Sequence, residues 1–162
     1  VDLSKNIYNN LTSNDFTFSI WYKTNDVTKG QLIFSDWETS GSDRKLYCFV
    51  RGGSQNLRLA FSDNGSTNFI NSSTILNNTW YFLQIKHNSN GVQEMKLNNV
   101  SQGTYTYTNA PTLEQEIVLG IDKANNNTFP FDGELDEVSF INGQTTAQQD
   151  SDLYNNGNGT TI

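Results

Sequence analysis

The chain has 162 residues, a net charge of −7 and ten basic residues scattered along its length, so it lacks the clustered Lys and Arg that nucleic acid and anionic membrane surfaces require. No apolar run approaches a membrane span or a signal sequence, and any targeting segment would lie outside these residues. A single cysteine rules out an intrachain disulfide, and a chain of this length buries roughly 70% of its unfolded surface without needing disulfide or metal staples.

Strand signals begin at residues 16–23, where Phe16, Phe18, Ile20 and Tyr22 alternate with Thr17, Ser19, Trp21 and Lys23. A second strand is predicted over 31–35, after Gly30. Others follow over 45–51, over 56–62 with Leu57, Leu59 and Phe61 on one side, and over 67–71. Residues 80–86 open on Trp80 and turn through Asn90-Gly91, a strong hairpin signal, into 92–97. Strands over 101–108, 116–120 and 134–141 complete the set. The recurrent Asn pairs, Asn98-Asn99 among them, belong in turns, where the side chain bonds the local backbone and tolerates positive φ.

One short helix is predicted near the C-terminus. Thr145-Thr-Ala-Gln148 has the form of a capping box, Asn155-Asn-Gly157 supplies stop residues, and Leu153 and Tyr154 would pin the helix to the sheets. Ten or more short strands with no linker or repeat predict a single all-β domain over 1–162, two antiparallel sheets packed face to face.

The residues leave little room for common catalysis. There is one histidine, His87, and Cys48 alternates with Leu46 and Val50 as a buried hydrophobe; no nucleophile elbow, phosphate loop or Cys/His metal spacing occurs. Carboxylate, amide and aromatic chemistry remains, the set that binds sugars and calcium. Trp37, in the polar stretch that includes Asp36, Asp43 and Arg44, is the leading platform for a sugar ring, against the alternative of a cover over a sandwich edge. Asp36 and Asp43 would bond its hydroxyls, and the Arg44 guanidinium could bond a uronate or sulfate. Trp21 and Trp80 read as structural, although one sheet face could present Trp21, and Tyr105 and Tyr107 read as covering the core from an edge strand.

In the last strand, unbroken alternation places Asp136 on the inward face with Val138 and Phe140, and Leu135, Glu137, Ser139 and Ile141 on the other. A carboxylate on an apolar face needs a partner. Asp136 would either accept backbone N–H bonds at the strand end or ligate calcium.

The stretch from Phe131 to Asn142, reading Phe-x-Gly-x-Leu-Asp-Glu-Val-x-Phe-x-Asn, followed by Leu153-Tyr-Asn-Asn-Gly157, resembles the closing strand of laminin G-like, concanavalin A-type jelly rolls. Asp15 to Lys23, Trp80 to Lys86 and Met95 to Val100 are similar to earlier strands of that family, in the right order. The resemblance implies a two-sheet antiparallel jelly-roll sandwich with one short C-terminal helix, and a rim calcium site with Asp136 as one ligand. It implies a non-catalytic carbohydrate-binding or adhesion module of a larger extracellular, cell-surface or virion protein, with a glycan or cell-surface saccharide as partner. A structural or protein-interaction domain contacting neighbouring subunits is the alternative. Laminarinase-type enzymes of the same architecture carry Glu-x-Asp-x-x-Glu; here Glu134 and Asp136 match, but Ser139 takes the place of the second glutamate, and in an unbulged strand Glu137 faces away from Glu134. A hydrolase is therefore not expected.

Overall fold

The computed structural model describes residues 2–3, 15–37, 44–63, 66–107, 117–121 and 128–159, with the backbone alone at 2–3, 36–37, 44–45 and 62–63. Its strands are β1 (Asp2–Leu3), β2 (Phe16–Thr24), β3 (Gln31–Trp37), β4 (Arg44–Arg51), β5 (Asn56–Asp63), β6 (Ser66–Thr74), β7 (Trp80–His87), β8 (Val92–Leu97), β9 (Val100–Thr106), β10 (Ile117–Leu119) and β11 (Gly133–Asn142). They form two antiparallel sheets, ordered β1-β10-β3-β4-β5-β6 and β11-β2-β7-β8-β9. A single α-helix among the described residues, α1 (Ala147–Tyr154), follows the last strand and runs into a 3-10 turn at Asn155–Gly157.

Alternation decides which side of each strand meets the other sheet. Phe18, Ile20 and Tyr22 of β2 and Leu83 and Ile85 of β7 face Ile33, Cys48, Leu57, Leu59 and Phe61 across one continuous core. Tyr105 and Tyr107 pack on Phe61 at 4.8 and 5.1 Å between ring centroids, so they cover the core as the sequence implies. His87 is buried between Phe16 and Tyr107, and that burial lowers its pKa and holds the ring neutral. Cys48 is fully buried and its thiol is pushed far up by desolvation, which makes it packing material. Leu59, in the middle of β5, has no solvent exposure. Leu59→Ala is expected to cost about 2–5 kcal/mol of unfolding free energy in a urea titration, because the sheets on either side cannot collapse fully into the space.

Two turns use the Asn chemistry anticipated. Asn98 and Asn99 both adopt positive φ, 50° and 62°, which lets a two-residue turn join β8 to β9 with the twist the strands need. Gly91, at φ 79°, closes the β7–β8 hairpin after Asn90.

Strand β11 departs from simple alternation. Asp136 lies opposite Trp21 and Ser139 opposite Ser19, so Glu137 and Val138 together face the single intervening residue of β2. This is a β-bulge, and Glu137 supplies it by entering the left-handed region at φ 45°. Leu135, opposite Tyr22, and Phe140, opposite Phe18, therefore both pack on the core. The expectation that Asp136 shares an inward face with Val138 and Phe140 is corrected: Asp136 is exposed beside Trp21, and Val138 is 39% exposed.

Helix α1 lies across the outer face of the five-stranded sheet. Thr146, one residue later than predicted, is its N-cap, with Gln149 completing the capping box. The shift has a cause. Thr145 is buried, its N–H donates to Thr17 Oγ1 at 3.0 Å and its hydroxyl donates to Asp150, so it is already committed to the sheet. Asp150 in turn accepts from Lys86 at 2.9 Å, Lys96 at 2.7 Å and Gln84 at 3.2 Å. At the other end of α1, Tyr154 stacks over Trp21 and Phe82 at 5.9 and 6.0 Å, so the tyrosine does pin the helix, on the outside of the sandwich.

Candidate binding site

The outer face of the five-stranded sheet is divided by α1. Thr17, Gln84, Lys86 and Lys96 lie towards the helix N-terminus, where Asp150 and Thr145 seal them. Towards the other end the face stays open, and a cleft of about 220 Å³ forms between the sheet and the segment that leaves the helix. Its lining is Trp21 from β2, Trp80 from β7, Asp136 and Glu137 from the β11 bulge, and Gly157, Asn158 and Gly159.

Each wall follows from local sequence. Trp21 and Trp80 point outward because Ile20, Tyr22 and Tyr81 take the inward positions of their strands. Trp21 is 6% exposed, and its indole N–H has no hydrogen-bond partner among the described residues. Trp80 is 37% exposed. Lys23, cross-strand from Trp80, lies 5.1 Å from its ring centroid and is tied at 2.6 Å to Glu134. The bulge brings Asp136 and Glu137, adjacent in sequence, to one cleft where regular alternation would put them on opposite faces. Gly159, at φ 67°, permits the closing contact, since a Cβ there would sit 2.6 Å from Glu137 Oε1.

An aromatic wall with carboxylate and amide groups at its rim suits a polyhydroxylated ring, whose C–H face packs on indole while its hydroxyls donate to carboxylates. A family model described as the concanavalin A-like lectin/glucanases superfamily matches residues 2–149. The chain belongs to this superfamily. As a member of it, the domain superposes on a native heptameric pentraxin from Limulus polyphemus with a TM-score of 0.65 and 18% identity, covering 91% of this chain and 72% of that one. It also matches the binding domain of botulinum neurotoxin serotype D, with a TM-score of 0.68, 18% identity and coverage of 91% and 38%. A Bacteroides ovatus protein described as carbohydrate-binding gives 0.65, 15% identity and coverage of 85% and 40%. The lectin/glucanase domain thus spans about two fifths of the last two chains. A comparison with curated protein sequences found no match.

The glucanase branch of the superfamily sets a geometric question for β11. At the position of the second glutamate, Ser139 bonds Ser19 hydroxyl to hydroxyl at 2.7 Å, and Glu134 is held by Lys23. The bulge corrects one premise of the sequence reading, because Glu137 and Asp136 do share a cleft. Glu137 packs its carboxylate against Gly159, and Asp136 Oδ1 accepts the Glu137 N–H at 2.8 Å.

That last bond is the backbone alternative anticipated for Asp136. The calcium alternative has donors of the right type in Asp136, Glu137 and Asn158, but calcium draws six to eight oxygens. Among the described residues no group of three or more His, Cys, Asp or Glu side chains gathers, so backbone carbonyls or water would have to fill most of such a shell.

Asp36, Trp37 and Arg44, singled out from sequence, lie in the other sheet. Trp37 is the last residue of β3 rather than part of a loop, and its Cα partner across the β3–β4 pair is Arg44. Asp36 is paired with Leu46, with a register shift between Asp36 and Trp37. Trp37 and Arg44 are therefore brought together at the backbone level; Asp43 lies outside the described residues, and Asp136 belongs to the opposite sheet. Sequence reasoning missed Trp80, Glu137 and Asn158 as a group. The outward parity of Trp21 and Trp80 on neighbouring strands was the available signal.

Proposed function

We propose that this domain is a binding module whose ligand is carbohydrate, within a larger extracellular, cell-surface or virion protein. The observation that carries the reading is the cleft itself, where half-exposed Trp80 stands beside the carboxylates of Asp136 and Glu137 and the Asn158 amide. Superfamily membership supports it, as do structural neighbours whose names refer to binding. A shallow, wet cleft of this size yields weak affinity per site, so function would come from several copies acting together. The Trp37 end of β3, with Asp36, Asp43 and Arg44, is a second proposed contact patch, and Asp136 is the proposed ligand should calcium order the rim.

A glycan array, run with calcium and again with chelator on the wild-type domain and on Trp37→Ala and Trp80→Ala, tests the reading. Retention that fails for Trp80→Ala is the expected result. Retention lost only for Trp37→Ala would move the site to the six-stranded sheet, and a chelator effect would assign calcium. No retention on any sugar would leave the structural or protein-interaction reading in its place. Incubation with laminarin is expected to release no reducing ends; release abolished by Glu134→Gln would make the domain a hydrolase.

A further inference from the structure

The face of the six-stranded sheet turned away from the core carries an unbalanced pair of charges. Leu32, Tyr47 and Ala60 pack there as a cluster separate from the core, with Phe49 against them. Arg58 is the cross-strand partner of Phe49, and Arg51 lies two residues beyond Phe49 on β4. The two guanidinium groups therefore share this face as diagonal neighbours, within reach of each other. Every lysine whose side chain is described has a carboxylate partner: Lys23 pairs with Glu134, Lys29 with Asp26, and Lys86 and Lys96 with Asp150. Arg51 and Arg58 have no such partner among the described residues. In a chain with 17 acidic residues and a net charge of −7, the two bases left without an acid stand side by side. Like charges so placed on a sheet repel, and a bound anion would relieve the repulsion.

Arg58 is already aimed. Its Nε donates to Asn71 Oδ1 at 3.1 Å, and its guanidinium carbon lies 4.0 Å from the centroid of the Phe69 ring, so the fork is held from two sides. Burial first, and then the Arg51 charge, pull its pKa below the usual guanidinium value without discharging it at neutral pH. With Nε occupied, the two terminal nitrogens remain as a pair of donors, an arrangement that a carboxylate or sulfate accepts in two bonds. Phe69 is 49% exposed beside them and offers apolar surface to the C–H face of a ring. An anion and an apolar ring face on one ligand describe an acidic sugar.

Resting on the carbohydrate reading above, we infer that the outward face of β4, β5 and β6 binds a sugar ring bearing a carboxylate or sulfate, with Arg58 and Arg51 on the anion and Phe69 against the ring.

Methyl glucuronide, methyl glucoside 6-sulfate and neutral methyl glucoside are each titrated into the isotope-labelled whole domain at neutral pH, with backbone amide chemical shifts as the readout. The acidic ligands are expected to shift the amides of Phe49, Arg51, Arg58 and Phe69 and to bind there about tenfold more tightly than the neutral one. High salt, Arg58→Gln and Arg51→Gln should each remove most of that gap. The Arg51 side chain bonds nothing among the described residues, so its replacement tests the site without disturbing the packing around Phe69. Acidic glycosides that bind no more tightly than the neutral one, or that shift only Trp80 and its neighbours, would overturn the inference while leaving carbohydrate binding in place. Acetate or inorganic sulfate reproducing the shifts at equal affinity would remove the sugar ring from the site, and tighter binding of oligoglutamate would give the face to an acidic protein; either result overturns the inference. No response to any glycoside would overturn the carbohydrate reading as well.

Discussion

Asp150→Ala is expected to destabilise the domain by about 3–5 kcal/mol, the range for removing one partner of a buried ion pair. The carboxylate is 1% exposed and holds two ammonium groups, Lys86 and Lys96, at 2.9 and 2.7 Å, together with the Thr145 hydroxyl and the Gln84 amide. Taking it away leaves two poorly solvated cations side by side without the carboxylate that bridges them. Burial alone would raise the pKa of Asp150, but hydrogen bonds from Lys96, Thr145 and Lys86 and the Lys86 charge outweigh it and hold the group below the usual carboxylate value. A depressed folded pKa means the unfolded state takes up the proton first as pH falls. The stabilisation is therefore complete above the unfolded value near pH 4 and is lost as pH drops through the lower folded value. Urea midpoints measured from pH 7 down to pH 2 should fall steeply at the acid end for the wild type and less so for Asp150→Ala. Equal slopes for both proteins would sink the assignment.

Trp80→Ala is expected to lower glycan affinity at least tenfold, about 1.4 kcal/mol, while shifting unfolding free energy by no more than about 1 kcal/mol. Trp80 is the aromatic of the cleft that can be removed without breaking the fold, since it is 37% exposed, with Lys23 above the ring. Trp21 makes a poorer probe. It packs beside Phe82 with Tyr154 stacked over both, and Trp21→Ala would cost about 3–5 kcal/mol by opening a cavity under α1, mixing lost fold with lost function. Trp80→Phe keeps an aromatic face and should recover part of the binding, measured by calorimetry alongside thermal unfolding of both variants. Unchanged affinity in Trp80→Ala would exclude the cleft as the site.

The strands were legible because the core alternates. Leu57, Leu59 and Phe61, or Phe16, Phe18, Ile20 and Tyr22, can satisfy an apolar face in only one register, and the structure adopts it. What stayed hidden depended on contacts between distant residues or on non-standard backbone. Nothing in the Leu-Asp-Glu-Val stretch announces that a glutamate will take a left-handed conformation, and that bulge alone decides whether Asp136 faces core or solvent. The capping box was ambiguous by one residue because both Thr145–Gln148 and Thr146–Gln149 fit the pattern; burial of Thr145 against Thr17 chose between them. Lys86, Lys96 and Asp150 meet across 54 and 64 positions, a separation at which no local pattern operates. The cleft inherits this difficulty, since four separate segments build it.

The sealed thiol of Cys48 gives the chain an internal clock for its own opening. Thiol-reactive dye can reach that sulfur only when the two layers part, because the group has no exposed surface and its proton is held tightly by the apolar surroundings. Labelling at low denaturant would then time separation of the layers, whereas fraying of the C-terminal helix, on the far side of one sheet, would leave the signal silent.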